Sequence, residues 1–325
     1  MSRILRIGFL IGGIVVLALL VLQAGPALLG RLLVQVGWSL PVIVALYAIH
    51  QGVRAVGLWR SVLAGPIRFA EVLRVRIVGE GLEILTYTGP FLAEPAKGLL
   101  LKRRGLPSAI AFAAVATEYL LYTAVSAAMA SAAFILLLAR GTLPDPIRPA
   151  ALAIAVVAVA FNVALAFAAI TGIGLIVPIV RALGVIVGRS RAAFAAEQIG
   201  HVERVLVSFL HEYPARLAEV LGIEVVAHAL LASEVWIVLR TLGLPFSALD
   251  PLLVEGGAKI IAGGFFFIPG QVGASEGVYA LLLGAIGFSA ATGLTLSLMR
   301  RIRAALVAGL SLLVLAWWDK DGGRT

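Results

Sequence analysis

The sequence predicts an all-α integral membrane protein, a polytopic helical bundle with two inverted repeats that contain re-entrant broken helices. Of its 325 residues, 61% are hydrophobic and 13% are charged, whereas soluble domains are about a quarter charged and less than about half apolar. Long apolar runs recur along the chain, and glycine and proline interrupt some of them. This composition excludes a disordered chain, a secreted disulfide scaffold and a soluble multidomain enzyme. The absence of cysteine excludes thiol catalysis and thiolate zinc sites.

The apolar runs predict six membrane-spanning helices, because a helix needs roughly 20 mostly apolar residues to cross the hydrocarbon core. The first run follows Arg3 and Arg6 and is longer than a signal-peptide core, so we expect a retained helix. Trp38 and Trp59 bound the second run, as tryptophan favours the membrane interface. The fourth run is expected to break near Gly172, Gly174 and Pro178. The predicted spans are 7–22, 38–59, 107–139, 149–181, 216–240 and 289–318.

Three further segments are too polar or too interrupted to be ordinary spans. Residues 61–105 carry many charges and several Gly and Pro residues, which predicts an interfacial helix followed by two half-helices over about 72–105. These half-helices would enter and leave on the same side. Residues 251–287 repeat this pattern. Residues 189–213 are amphipathic and charged, which predicts a helix in the membrane interface.

The distribution of Lys and Arg orients these helices. Nine of these residues lie between Arg54 and Arg104, and a second group lies between Arg181 and Arg204, whereas the other short loops hold few. Because cytoplasmic loops carry the excess of Lys and Arg, both termini are predicted to be cytoplasmic. Residues 1–325 then form a single transmembrane domain. The net charge of +9 indicates topology and contacts with lipid headgroups, with no nucleic-acid partner.

Under this topology the two broken segments lie in oppositely oriented copies. At a shift of 182 residues, Glu94 falls on Glu276 and Glu118 falls on Arg300. Inverted repeats with Gly- or Pro-interrupted helices are typical of transporters that expose a site near the middle of the membrane to each side in turn. Broken backbone at this depth must be surrounded by protein or must line a water-filled cavity. The predicted repeats cover about 61–139 and 216–318.

Several ionisable side chains fall inside the predicted membrane segments, and each would cost at least about 2.5 kcal/mol if it faced lipid. One interpretation is a set of buried ion pairs that fix the helices. The other is an anion site, in which Arg300, Arg301 and Arg303 with Lys259 bind a lipid phosphate and the backbone N–H groups near Gly270 and Gly273 assist. For Arg301 and Arg303 the first interpretation is the stronger, because consecutive residues cannot all face one cavity. Glu118 and Glu276 would then neutralise the empty site or bind a cationic headgroup. The residues concerned are Glu118, Glu224, Glu234, Lys259, Glu276, Arg300, Arg301 and Arg303.

The four histidines give no metal-binding spacing, so we expect neither a metal nor another cofactor. Glu224 and His228 are four residues apart and share one helix face. They are candidates for a proton relay, and the alternative is a polar pair that only satisfies its own hydrogen bonds.

Two motifs resemble those of a known family. Residues 89–97 (GPFLAEPAK), Arg104-Gly105 and then Glu118 resemble the first signature of the lysylphosphatidylglycerol synthase transmembrane (flippase-like) family. Residues 268–277 (IPGQVGASEG) resemble its second signature. Two positions differ, since Tyr119 stands where the family often has Arg and Lys97 replaces a frequent Arg. The substrate-binding residues that the resemblance implies are Glu94, Lys97, Glu118, Pro269, Gly270, Gly273, Glu276 and Arg300.

The resemblance implies a lipid flippase of the bacterial inner membrane, without its own enzyme activity and without the aminoacyl-transferase domain of some relatives. Stand-alone members include a branch associated with hopanoids, so the lipid would be a phospholipid or a hopanoid-type molecule. One alternative is a lipid-modifying membrane enzyme with Glu118 or His228 as acid or base. Another is a scaffold subunit for a lipid-modifying or glycosyl-transferring partner. Membrane lipids are the expected partners, and lipid-biosynthetic enzymes and a second copy of the chain are candidate protein partners.

Overall fold

The computed structural model describes residues 3–86, 89–184, 188–259, 264–265 and 268–321, and every regular element in these ranges is a helix. The predicted all-α membrane fold is confirmed. The helices are α1 (Arg3–Ala24), α2 (Pro26–Gly37), α3 (Leu40–Ser61), α4 (Phe69–Leu85), α5 (Pro90–Arg103), α6 (Ser108–Ala139), α7 (Arg148–Thr171), α8 (Ile176–Ala182), α9 (Arg189–Glu212), α10 (Pro214–Thr241), α11 (Asp250–Ala258), α12 (Ala274–Ala285) and α13 (Ala290–Asp321).

Among the described residues, four segments are long and apolar enough to span a membrane, and they contain α3, α6, α7 and α10. The N-terminal pair α1–α2 would make a fifth span only as a bent unit, because its axes turn by 91° at the break. Gly25 supplies this bend with a φ of 83°, which glycine adopts without steric cost. The prediction of six spans therefore exceeds what length and composition support. The last helix, α13, is long enough, but Arg300, Arg301 and Arg303 lie in its middle.

The predicted break within the fourth run is present. Helix α7 ends at Thr171, Gly172 adopts a left-handed φ of 69°, and the short helix α8 follows. The amphipathic segment predicted at 189–213 forms α9, which packs against α6, α7 and α8. Glu203 of α9 accepts hydrogen bonds from the backbone N–H groups of Ile176 and Val177, at 2.5 and 3.0 Å. This contact fixes the start of α8 against α9.

Both segments predicted as re-entrant are interrupted. In the first, α4 and α5 pack against each other, α4 packs on α13, and α5 packs on α6. In the second, α11 ends at Ala258, and a 3₁₀ turn over Pro269–Gln271 precedes α12. Part of the second segment, residues 260–263 and 266–267, lies outside the described residues. The inverted relation between the two units stays a prediction.

Helix α11 lies deep in the bundle because it presents two consecutive glycines. A Cβ on Gly256 would lie 2.5 Å from the carbonyl oxygen of Met129 in α6, and one on Gly257 would lie 2.5 Å from Leu282 in α12. Small residues allow such close helix contacts in membrane proteins. The main apolar core surrounds this crossing, with Phe134, Val254 and Leu282 among its buried members. The approach of α11 brings its flanking charged residues into the centre of the protein.

Candidate functional site

A first buried set of charges joins α3, α4, α6 and α10, and we call it the Arg54 cluster. Glu118 is its centre, with Arg54 Nη2 at 2.7 Å and Arg76 Nη1 at 3.5 Å from its Oε1 atom. Arg76 also contacts Glu80 at 3.3 Å, and Arg54 Nε lies 3.6 Å from Glu224 Oε2. The cluster therefore contains two cations and three carboxylates, a formal charge of minus one. Its members are Arg54, Arg76, Glu80, Glu118 and Glu224.

A second buried set joins α10, α11 and α13, and we call it the Arg300 cluster. Glu255 accepts from both Lys259 Nζ and Arg300 Nη2 at 2.7 Å. Glu234 pairs with Arg303 and lies 3.4 Å from Arg300 Nε. The three cations and two carboxylates give a formal charge of plus one. Lys259 and Arg300 each keep 14% of the side chain exposed and are its most accessible members.

Two tyrosine rings lie between the clusters. Tyr47 donates its hydroxyl to Glu80, and the guanidinium of Arg303 lies 3.8 Å from the centre of its ring. The ring of Tyr122 has Arg54 at 3.6 Å and Lys259 Nζ at 5.6 Å from its centre. Each tyrosine thus touches cations or carboxylates of both clusters, so the two sets form one polar layer of opposite local charge.

The second family-like motif forms a separate ion pair at the start of α12. Gly273, with a φ of 80°, donates its N–H to Glu276 Oε2 at 2.7 Å, which caps the helix. Glu276 is fully buried and pairs with Arg301, whose Nη1 and Nη2 donate to the carbonyls of Gly270 and Gln271 at 3.0 and 3.1 Å. Arg301 keeps 31% of its side chain exposed. A single arginine therefore fixes the turn at residues 269–271 to the carboxylate that caps α12.

In the first motif, Lys97 Nζ pairs with Glu94 at 2.7 Å, one turn away on α5. Gly79 of α4 makes room for this lysine, because a Cβ there would lie 2.6 Å from two of its methylene carbons. The pair is neutral and lies beside the Arg54 cluster.

The predicted site residues thus fall into separate groups. Lys259 and Arg300 lie together and share Glu255, whereas Glu118 and Glu276, predicted to neutralise that site, belong to other ion pairs. The anion site stays a prediction. His228 Nε2 forms a hydrogen bond with the hydroxyl of Ser126 at 2.8 Å, and its Nδ1 forms one with the backbone carbonyl oxygen of Glu224 at 2.7 Å. Glu224 and His228, the two residues of the predicted relay, are therefore joined through the backbone of Glu224 and not through its carboxylate.

Several polar atoms of this layer have no hydrogen-bond partner among the described residues. His50 is 3% exposed, stacks on Tyr47 at 5.1 Å, and leaves both ring nitrogens without a partner. Both carboxylate oxygens of Glu224 and one of Glu118 also lack a hydrogen-bond partner among the described residues. Because buried polar groups are normally hydrogen-bonded, these atoms indicate positions that water, a proton or a ligand can occupy.

An apolar groove of about 290 Å³ lies between α6, α7, α11 and α12. Every described residue that lines it is apolar or glycine, and one of them, Gly273, donates its N–H to Glu276, the partner of Arg301. A hydrocarbon chain in this groove would thus bring a polar group close to an accessible arginine. The lining includes Phe134, Ile154, Gly257, Ala274, Val278 and Leu282.

A larger pocket, of about 870 Å³, lies away from these clusters between the α7–α8 break and α9. Polar residues of α9 line one wall, among them His201, Arg204 and His211. Arg204 contacts the His201 ring at 2.7 Å, and His211 contacts the carbonyl of Ala169 at 3.0 Å. No group of three or more potential metal-binding side chains occurs among the described residues.

Sequence reasoning missed Arg54, Arg76, Glu80 and Glu255 as members of the site. Arg54 lies in a predicted span, and its charge was counted there as a topology signal. Arg76, Glu80 and Glu255 lie in the segments predicted to be re-entrant, 72–105 and 251–287. Arg76 and Glu80 are spaced i, i+4, and so are Glu255 and Lys259, which is the spacing of ion pairs on one helix face. This i, i+4 spacing was the sequence feature from which both ion pairs could have been predicted.

The comparison with protein families matches the chain over residues 5–311 to the lysylphosphatidylglycerol synthase TM region. Neither the comparison with curated proteins nor that with solved structures finds a match. The matched range contains both motifs and both charge clusters, so the predicted resemblance is confirmed. The chain is a membrane protein that belongs to the family of the lysylphosphatidylglycerol synthase transmembrane region.

Proposed function

We propose that this protein moves a lipid between the two leaflets of a bacterial inner membrane, with an anionic headgroup bound at the Arg300 cluster. The observation that carries this proposal is the spare positive charge there. Three cations share two carboxylates in a buried site. The opposite charge of the Arg54 cluster offsets this spare charge from across the tyrosine rings, whereas a phosphate that accepts charge-assisted hydrogen bonds from Lys259 and Arg300 would balance it by direct contact.

The groove between α6, α7, α11 and α12 supports a lipid as the ligand. Its described lining residues are all apolar or glycine, and one of them, Gly273, bonds to Glu276, whose partner Arg301 keeps 31% of its side chain exposed. We propose that the substrate enters laterally, with a hydrocarbon chain in this groove and its headgroup at Arg301 and then at the Arg300 cluster. The structural element that would rearrange is the turn at residues 269–271.

The test is movement of a fluorescent phosphatidylglycerol in proteoliposomes, where a membrane-impermeant reductant reports the fraction of label in the outer leaflet. We expect Lys259→Gln and Arg300→Gln to slow this movement by about tenfold or more, since a hydrogen bond to a charged group contributes about 1.5–3 kcal/mol. Arg60→Gln is the matched control, because Arg60 pairs with Glu219 at a site where both side chains are 38% exposed. Wild-type liposomes that move lipid no faster than empty ones would end the proposal.

The groove also favours a second candidate substrate, a hopanoid-type lipid, because such a molecule is rigid and mostly apolar. In that case Val278→Trp in the groove would slow lipid movement, whereas Lys259→Gln would leave it unchanged. The alternatives of a lipid-modifying enzyme and of a scaffold subunit are separated by lipid analysis of the same liposomes. An enzyme would convert a lipid, and a scaffold would neither move nor convert it.

A further inference from the structure

We propose that Glu224 takes up one proton when an anionic headgroup binds at the Arg300 cluster. This inference rests on the proposed function and adds a second ligand to it. The proposal follows from three observations: the opposite formal charges of the two clusters, the partnerless carboxylate of Glu224, and the contact between the clusters through Tyr47 and Tyr122.

Glu224 carries the carboxylate that the Arg54 cluster leaves without a full partner. The two guanidinium groups contact Glu118 and Glu80, whereas the nearest approach to Glu224 is 3.6 Å from Arg54 Nε. This distance is beyond hydrogen-bond range, and both oxygens of Glu224 have no hydrogen-bond partner among the described residues. A buried carboxylate in this state stays ionised only while nearby positive charge stabilises it, and it binds a proton when that charge is neutralised.

The groups around Glu224, on α10 and on the neighbouring helices, are consistent with proton uptake by this carboxylate. On its own helix, His228 bonds to the Glu224 backbone. Among the described residues, α2 and α9 place no charged group in an ion pair with α10. Gly57 of α3 approaches so closely that a Cβ there would lie 3.0 Å from Glu224 Oε1. The charged groups that act on the carboxylate are Arg54 of α3, Glu118 of α6, Arg76 of α4 and Lys97 of α5, whereas Glu255 and Lys259 of α11 act on His228.

A proton fits this position better than a metal cation. A cation such as Mg²⁺ or Ca²⁺ needs about six oxygen ligands. Here the guanidinium of Arg54 lies 3.6 Å from the carboxylate and would repel a metal ion. A proton needs only one free carboxylate oxygen.

The coupling follows from the charge balance. Without ligand, the spare positive charge of the Arg300 cluster compensates the spare negative charge of the Arg54 cluster across the two tyrosine rings. An anion bound at Lys259 and Arg300 neutralises that positive charge. The Arg54 cluster is then left with an uncompensated carboxylate in a low-dielectric site, and a proton from water that binds Glu224 restores neutrality.

Linkage is reciprocal, so lower pH must tighten the binding of the anionic lipid. With one proton taken up per lipid, the affinity rises by at most about tenfold for each pH unit. A zwitterionic lipid brings no net charge and should show no such dependence.

The experiment titrates the full-length protein in weakly buffered detergent with phosphatidylglycerol or phosphatidylcholine, while a pH indicator reports protons and a separate assay reports bound lipid. We expect wild-type protein to take up as much as one proton per phosphatidylglycerol and none with phosphatidylcholine. Glu224→Gln should bind phosphatidylglycerol without proton uptake. Glu219→Gln, on the exposed side of the same helix, should behave like wild type.

Binding of phosphatidylglycerol without proton uptake by the wild type, or equal uptake by Glu224→Gln, would overturn the inference and leave the proposed function standing. Failure of phosphatidylglycerol to bind at all would overturn both. If Glu224→Gln does not fold, infrared spectroscopy of the wild type decides the matter. A protonated-carboxyl band must appear when phosphatidylglycerol binds, and its absence would refute the proposal.

Discussion

Glu255 offers the sharpest test of how much the buried charges contribute to stability, because it is the shared partner of two cations. Lys259 Nζ and Arg300 Nη2 each lie 2.7 Å from its carboxylate. At an effective dielectric constant of about 20, two unit charges at that distance attract each other by about 6 kcal/mol. Desolvation offsets part of this attraction, so loss of one partner of a buried pair costs about 3–5 kcal/mol. We expect Glu255→Gln, which keeps the side-chain volume, to destabilise the protein by that amount.

Glu219→Gln is a matched control for this substitution. Glu219 and Arg60 are also 2.7 Å apart, but both side chains are 38% exposed. Exposed pairs contribute at most about 1 kcal/mol, because water screens them. The two variants therefore remove the same kind of contact at the same distance and differ in burial.

The assay is unfolding in detergent micelles, followed by the fluorescence of the protein's five tryptophans. Lys259→Met and the double variant complete a thermodynamic cycle, which should give a coupling energy of about 1–3 kcal/mol between residues 255 and 259. Equal and small effects of Glu255→Gln and Glu219→Gln would refute the reasoning. That result would mean that the Arg300 cluster is hydrated and that its charges interact as if at the surface.

Three further predictions concern packing, the partnerless histidine and topology. Gly256→Ala should destabilise the protein, because its Cβ would lie 2.5 Å from a backbone carbonyl of α6, whereas Gly222→Ala, with nothing within 4 Å, should be neutral or raise the melting temperature. His50→Phe should keep or raise the melting temperature in the same assay, since it removes two buried nitrogens that have no hydrogen-bond partner among the described residues; a fall would show that these nitrogens bind structural water. The native chain has no cysteine, so single cysteines report topology directly. In intact cells, Asp145→Cys should react with an impermeant maleimide and Arg103→Cys should not; the reverse pattern would invert the orientation.

The sequence was sufficient to predict the helices that carry long apolar runs. The run at 107–139 forms α6, with its start and end within a residue or two of the prediction, and the break near Gly172 is present. The spans at the two ends of the chain were less predictable. Apolar composition sets whether a segment can cross a membrane but not its bend, so the 91° turn between α1 and α2 carried no clear signal beyond Gly25-Pro26.

The site was predictable in its residue types and not in its pairings. The cost of charge in a membrane correctly indicated that Glu118, Lys259 and Arg300 face other polar groups. Which carboxylate each cation meets depends on helix rotation and on close contacts such as that at Gly256. Arg301 illustrates the limit. It follows Arg300 directly but, at about 100° further around the helix, it reaches Glu276, while Arg300 reaches Glu255.

The two clusters give the sequence relation between the predicted repeats a physical meaning. The shift of 182 residues that places Glu94 on Glu276 also places Glu118 on Arg300. Glu118 is the central carboxylate of a cluster with one spare negative charge, and Arg300 is a central cation of a cluster with one spare positive charge. If the halves are inverted copies, the two halves therefore carry a charged residue at the same position of the repeat, with a negative charge in the first half and a positive charge in the second. Two identical sites would repel each other across the tyrosine rings, whereas two opposite sites neutralise each other when empty. An anion at one site then requires a cation at the other, which is the coupling proposed for Glu224.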